Sequence, residues 1–92
     1  MYEQKTTQKR MHDLIMKNRG NLEISGVYDV EGFDEREINC FTDYGQLIIR
    51  GERLHVDNMD TVSGQMKVTG EVSALIYTAE KRHASFFSKL FK

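Results

Sequence analysis

The stretch Leu47-Ile-Ile49-Arg-Gly51 carries a pattern that recurs as Leu22-Glu-Ile24-Ser-Gly26 and as Met66-Lys-Val68-Thr-Gly70. In each copy two apolar residues stand two positions apart, and a glycine follows two positions later. Alternate residues of a β-strand point to the same face, so each apolar pair is predicted to point into one core. A glycine inside such a strand is typical of a bulge or bend. The predicted structural glycines are Gly26, Gly51 and Gly70.

Short apolar runs separated by Gly, Asp and Asn predict strands along most of the chain. The predicted strands are 13–17, 21–30, 37–43, 46–50, 53–57, 65–69 and 71–78. Turn-forming residues at Asn18-Arg19-Gly20 and at Asp43-Tyr44-Gly45 favour tight hairpins. The sequence therefore predicts an all-β fold, either a small antiparallel β-sandwich of the Ig-like class or a partly open barrel.

The two ends of the chain differ from this strand pattern. Residues 1–11 are polar and unpatterned, which predicts a flexible N-terminal arm ahead of a β domain over residues 12–78. In residues 79–92 the apolar positions recur at i, i+1, i+4 and i+5, which is one stripe of a helix. This predicts a short, basic, amphipathic C-terminal helix with the apolar stripe Phe86, Phe87, Leu90 and Phe91.

Charge is divided unevenly along the chain, although the formal net charge is only −1. Residues 1–20 hold five basic and two acidic residues, residues 21–79 four basic and eleven acidic, and residues 80–92 four basic and one acidic. An acidic body repels phosphate, so we expect no nucleic-acid partner. The single Cys40 allows no intrachain disulfide, and no apolar run approaches the roughly 18 residues of a membrane span. These features predict a cytoplasmic protein.

Histidine and aspartate suggest only one candidate metal site. The three histidines lie in different predicted elements, without the short His–His spacing of a helical zinc site. His55 and Asp57 share one face of a strand, and with Asp60 they are candidate ligands. The simpler interpretation is an exposed strand that runs into a turn.

The remaining reactive residue types do not form a catalytic constellation. Cys40 follows Ile38 at period two and is predicted to lie in the core. Four acids surround Gly32-Phe33 and are predicted to be a solvated loop or a face for a basic partner: Glu31, Asp34, Glu35 and Glu37. The chain has no Walker loop, no GxGxxG, no GxSxG and no cysteine pair. We therefore expect a protein that is not an enzyme and has no catalytic, metal or cofactor site.

The C-terminal segment is the sharpest functional feature of the sequence. Its apolar stripe either docks on the protein's own sheet, or contacts a partner's groove or an anionic membrane surface. Basic residues beside the stripe favour an anionic leaflet. The candidate partner or membrane contacts are Lys81, Arg82, Phe86, Phe87, Lys89, Leu90, Phe91 and Lys92.

Four stretches of the chain are distinctive in their apolar and glycine positions: residues 22–34, 43–60 and 63–77 and the ending Phe86-Phe-Ser-Lys-Leu-Phe-Lys92. Residues 43–60 and 63–77 resemble the signature of the YabP/YqfC family of sporulation proteins, and the other two stretches resemble the YabP branch of that family. The resemblance covers the chain from about His12 to its end. It implies a β-sandwich, so that residues 12–78 are a YabP-like β domain. It also implies a mother-cell protein of endospore formation, needed when cortex and envelope are assembled.

Two functional hypotheses remain open. In the first, the chain is a non-enzymatic structural or adaptor module that recruits a protein partner, with peripheral contact of its basic tail to the forespore membrane. In the alternative, it is a self-assembling β protein that forms homo-oligomers at the forespore surface through exposed strand edges. A pocket that joins His55, Cys40 and a carboxylate would indicate an enzyme instead.

Overall fold

The computed structural model of the protein describes residues 10–79, and these form six β-strands and no helix. All neighbouring strands are antiparallel in one open sheet of order β1-β2-β6-β5-β4-β3. The prediction of an all-β fold is confirmed. The strands are β1 (Leu14–Lys17), β2 (Asn21–Ile24), β3 (Val27–Phe33), β4 (Glu37–Thr42), β5 (Gly45–Asp60) and β6 (Gln65–Thr78).

The long hairpin of β5 and β6 organises the sheet into two halves. β2 pairs with residues 66–69 of β6, whereas β4 pairs with residues 45–50 of β5. We call β1, β2 and residues 55–60 and 65–69 the β2 half. We call β3, β4 and residues 45–50 and 74–78 the β4 half. The β5–β6 hairpin therefore lies in the middle of the sheet, with β2 and β1 added next to β6 and β4 and β3 added next to β5.

A bulged region separates the two halves. The register of β5 against β6 shifts after Arg50 and again after Glu52. Gly51 lies so close to β6 that a Cβ there would overlap the carbonyl oxygen of Glu71. Gly70 has a φ of 134°, in the region that favours glycine. Bulges of this kind bend a strand and increase its twist.

The buried side chains of both halves form a single core. They come from β2, β3, β4, β5 and β6, and no helix or second sheet within residues 10–79 covers them. The sheet therefore bends so that the inner faces of its two halves pack against each other. The core residues are Leu22, Ile24, Val27, Ile38, Cys40, Leu47, Ile49, Leu54, Met66, Val68 and Val72.

The architecture differs from the sequence prediction in how the strands are arranged. The sequence predicted either a sandwich of the Ig-like class or a partly open barrel. Residues 10–79 form one open sheet whose edges, β1 and β3, are not paired with each other, so a two-sheet sandwich is not confirmed. The predicted strand 21–30 is two strands, because Gly26 has a φ of 78° and the chain there changes its partner strand from β6 to β4. β5 and β6 each join two predicted strands, because pairing continues across the bulges.

The chain ends bear on two further predictions. The predicted helix over residues 79–92 lies outside the described residues, apart from Ala79. Arg10, in the predicted arm, donates its backbone N–H to Asp43 Oδ2 at 2.8 Å. Its guanidinium lies 5.9 Å from the centre of the Tyr28 ring. The described part of the arm is therefore in contact with β3 and with the β4–β5 turn.

Candidate functional site

A groove opens where the edge strand β3 faces the second part of β5. It has a volume of about 530 Å³. Phe33 stands at its mouth and is 67% exposed. The floor is continuous with the core, because Leu54 belongs to the core cluster and Val30, Val56 and Met59 pack against it. We call this site the β3–β5 groove; its polar lining residues are Asp34, Glu35, His55, Asp57 and Asn58.

Backbone hydrogen bonds fix the rim of the groove. Asp34 Oδ1 accepts the backbone N–H groups of Arg36 at 2.7 Å and Glu37 at 2.9 Å, which makes the β3–β4 link an Asx turn. The Leu54 N–H donates to the carbonyl oxygen of Glu35 at 2.9 Å. The rim therefore keeps its shape without a bound partner.

The groove combines an apolar floor with a negative rim. Asp34, Glu35 and Asp57 line it, and its lining within residues 10–79 includes neither lysine nor arginine. His55 Nε2 lies 3.3 Å from Asp57 Oδ1, with both side chains exposed to solvent. Such a surface is complementary to a segment that carries apolar and basic side chains together, and it repels phosphate.

The candidate metal site is only partly brought together. His55 and Asp57 are neighbours, but Asp60 accepts the backbone N–H groups of Val62 at 2.9 Å and Ser63 at 3.3 Å in a separate turn. Within residues 10–79 no three His, Cys, Asp or Glu side chains are placed to hold a metal ion.

Cys40 lies in the core, as its spacing indicates. It is fully buried in the β4 half, and burial raises the pKa of its thiol from the ordinary 9.0 to about 12. A nucleophilic cysteine needs the opposite shift, which a nearby cation or base provides. Cys40 also does not line the groove that holds His55, so these two residues do not share a pocket.

A histidine–tyrosine cluster outside the groove was not predicted. His12 Nδ1 lies 2.8 Å from the Ser25 carbonyl oxygen and therefore carries the proton that it donates. This leaves Nε2 to accept from the Tyr77 hydroxyl at 2.6 Å. Tyr44 lies over the same imidazole, and burial raises the pKa of Tyr77. The cluster holds residues 10–13 against β6, and no local sequence signal marks a contact between residues 65 positions apart.

The edge strand β1 presents a second exposed apolar surface. Ile15 is 51% exposed and Met16 39%. A cavity of about 640 Å³ beside the strand is lined by Met11, Ile15 and Ile24 together with polar residues. An exposed apolar edge is a template for pairing with another strand.

The remaining predicted site residues fall into two groups. The glycines lie where β2 meets β3 and in the bulged region, and a Cβ at Gly26 would overlap the carbonyl oxygen of Met11. The eight candidate tail contacts, from Lys81 to Lys92, lie outside the described residues. No helix within residues 10–79 has the length and apolar character that crossing a membrane would require.

Fold and site together define a small all-β protein with a preformed, acidic-rimmed apolar groove. Residues 8–84 match the model of the YabP family. The chain is also 41% identical over 96 residues to "Spore protein YabP" of Bacillus subtilis (strain 168), an alignment that covers 99% of this chain and 96% of that relative. The chain belongs to the YabP family, which confirms the resemblance found in its sequence.

Proposed function

We propose that this chain is a non-enzymatic adaptor of endospore formation that binds a protein partner in the β3–β5 groove. The observation that carries the proposal is Phe33, a large aromatic side chain that is 67% exposed beside a preformed apolar floor. Exposed aromatic residues that adjoin a pocket are typical of interaction sites.

The charge of the rim indicates the chemistry of the partner. Asp34, Glu35 and Asp57 surround the apolar floor. A segment with aromatic or aliphatic side chains between lysines or arginines would satisfy both the floor and the rim. β3 is also an edge strand of the described sheet, so an extended partner segment would lie next to it.

The role in sporulation is supported by kinship. The relative that covers nearly the whole chain is named a spore protein. We place the action of this chain in the mother cell, at the forespore surface, during cortex and envelope assembly. An adaptor needs a rigid binding surface and no catalytic group, and the buried, hard-to-ionise Cys40 fits that role.

Replacing Phe33 tests the proposal in sporulating cells. In a Bacillus subtilis strain whose own relative is replaced by this chain, Phe33→Ser should lower the yield of heat-resistant spores at unchanged protein level. Val62→Ser is the matched control, because Val62 is 93% exposed and does not line the groove. A photo-crosslinking residue at position 33 should yield one adduct that the same residue at position 62 does not.

A charge reversal makes the test decisive. Glu35→Lys turns part of the rim positive and leaves the apolar floor in place. It should impair spore formation in the same way as Phe33→Ser. Normal sporulation with both variants, each present at the parent's level, would refute the groove as the functional site.

Self-assembly through β1 is the alternative function, favoured by the exposed Ile15 and Met16 on that edge. Two copies would pair their β1 strands across a two-fold axis and join two sheets into one. Sedimentation at rising concentration should then reveal a dimer that Ile15→Lys abolishes. A monomer at all concentrations removes this alternative and leaves the groove proposal untouched.

A further inference from the structure

The outer face of the β4 half carries an apolar patch, Ile48 beside Ile76, between polar rows that contain Gln46 and Arg50. Residues directly opposite in an antiparallel pair point to the same side. Leu47, opposite Cys40, points into the core, so Ile48, opposite Ile76, points outward. Ile48 and Ile76 are both half-buried. The outward Phe41, opposite Gln46, is 5% exposed, and its ring lies 6.4 Å from that of Tyr28.

The β2 half supplies the contrast within the same sheet. There Val68 points inward opposite Leu22 and Val56, whereas Lys67 points outward opposite Glu23. Lys67 and Glu23 are exposed to solvent. Strands that are apolar on one face meet water on the other, and strands that are apolar on both are covered on both. No helix or second sheet within residues 10–79 covers the outer face of the β4 half.

The C-terminal segment begins at this face. Thr78, the last residue of β6, points outward in the same row as Gln46 and Phe41, and its Oγ1 lies 3.3 Å from Gln46 Oε1. Thirteen residues follow Ala79 and carry an apolar stripe of three Phe and one Leu. A helix of that length extends about 20 Å. The outward rows of Phe41, Asn39 and Glu37 span about 13 Å along the strands, so the segment is long enough to cross them.

We propose that residues 80–92 bind the outer face of the β4 half of their own chain, with Phe86, Phe87, Leu90 and Phe91 against Ile48 and Ile76. A tether of a few residues gives an effective concentration in the millimolar range. That exceeds the concentration of a second copy, so the segment binds within its own chain. The segment is basic and the body of residues 21–79 is acidic, so long-range electrostatic attraction also favours this contact.

Paramagnetic broadening in the full-length chain tests the proposal. A nitroxide is attached through Ser88→Cys, and the buried Cys40 does not compete for the label. The amide signals of Ile48 and Ile76 should lose most of their intensity, and those of Glu23 and Lys67 should keep theirs. Phe87→Asp in the labelled chain should restore the signals of Ile48 and Ile76. Ser85→Asp, which adds the same charge outside the apolar stripe, should leave the broadening intact.

Two results would overturn the proposal. In the first, spin-labelled chain mixed with isotope-labelled, nitroxide-free chain broadens Ile48 and Ile76, which would make a second copy the ligand of this face. In the second, these signals stay intact in the labelled chain and the nitroxide is immobilised only on phosphatidylglycerol vesicles, which would make the tail a membrane ligand. Neither result bears on the proposal for the β3–β5 groove, because Phe33 and Glu35 line a different surface.

Discussion

The two halves of the sheet share one inner core but differ in what they present outward. In β2 and β6 of the β2 half, Leu22 and Val68 point inward and Glu23 and Lys67 point outward. The β4 half carries Ile48 and Ile76 on its outer face. The contact proposed for residues 80–92 would cover Ile48 and Ile76, and the β2 half has no matching contact.

The bulged region is where the two halves are joined, and Gly51→Ala is expected to give the largest effect. The new Cβ would overlap the Glu71 carbonyl oxygen, and neither backbone can move without disturbing the β5–β6 pairing. Overpacking against backbone at this site should lower the free energy of unfolding by about 4 kcal/mol or more. Urea denaturation followed by far-UV circular dichroism measures the change.

Gly32→Ala is the matched control for that prediction. Gly32 also lies in a strand, but a Cβ there would meet nothing within 4 Å. The free energy of unfolding should change by less than about 1 kcal/mol, since an unstrained Gly→Ala change mainly restricts the unfolded chain. Equal losses of unfolding free energy for Gly51→Ala and Gly32→Ala would mean that the close approach of the Gly51 backbone to Glu71 does not stabilise the bulged region.

The shared core predicts equal losses in the two halves from one matched substitution. Ile24 belongs to the β2 half and Ile38 to the β4 half, and they are 1% and 0% exposed. Ile24→Ala and Ile38→Ala should each lower the free energy of unfolding by about 3 kcal/mol. Each variant should still unfold in a single transition by circular dichroism and by tyrosine fluorescence. Two separate transitions in either variant would show that the halves have independent cores.

Strand identity and core membership were predictable from the sequence, because both depend on local alternation. Leu22, Ile24, Leu47, Ile49, Met66 and Val68 all lie in the core that their spacing predicted. Strand order was not predictable. The change of partner at Gly26 depends on pairing between distant segments, and periodicity carries no information about it.

The candidate site was less predictable than the core. The acids around Phe33 suggested a face for a basic partner, but the apolar floor comes from Val30 on β3 and Leu54 on β5, more than twenty residues apart. The contact between His12 and Tyr77 spans 65 positions. Such sites form where the bend in the sheet brings distant segments together, and local sequence patterns do not predict which segments meet.

An ionisable group in the core gives a pH test specific to the β4 half. The pKa of Cys40 is about 12 in the folded protein and about 9 in the unfolded chain. Because the folded pKa is raised, the contribution to stability is complete below pH 9 and is lost as the pH rises towards 12. From pH 8 to pH 10 the parent should lose about 1 kcal/mol more than Cys40→Ala.

Urea denaturation at pH 8 and pH 10 gives the loss of unfolding free energy in each protein, and the Cys40 effect is the loss in the parent minus the loss in Cys40→Ala. Other groups that titrate in this range, including Tyr77, are present in both proteins, so their contributions largely cancel. The β2 half contributes Leu22, Ile24, Met66 and Val68 to the core, none of which titrates. Equal losses in parent and variant would mean that the β4 half is open to solvent around Cys40.

The smallest expected effect concerns Arg53, which lies in the bulged region at a φ of 54°. This left-handed conformation is unfavourable for a residue with a Cβ. Arg53 forms an ion pair with Glu71, but both side chains are largely exposed, and exposed pairs contribute little. Backbone strain should therefore outweigh the ion pair, and Arg53→Gly should raise Tm by roughly 2–4 °C. Arg53→Ala removes the ion pair and keeps the strained backbone, so it should not raise Tm. If Arg53→Gly lowers Tm as much as Arg53→Ala, then the Arg53–Glu71 pair, and not the backbone, stabilises the junction between the halves.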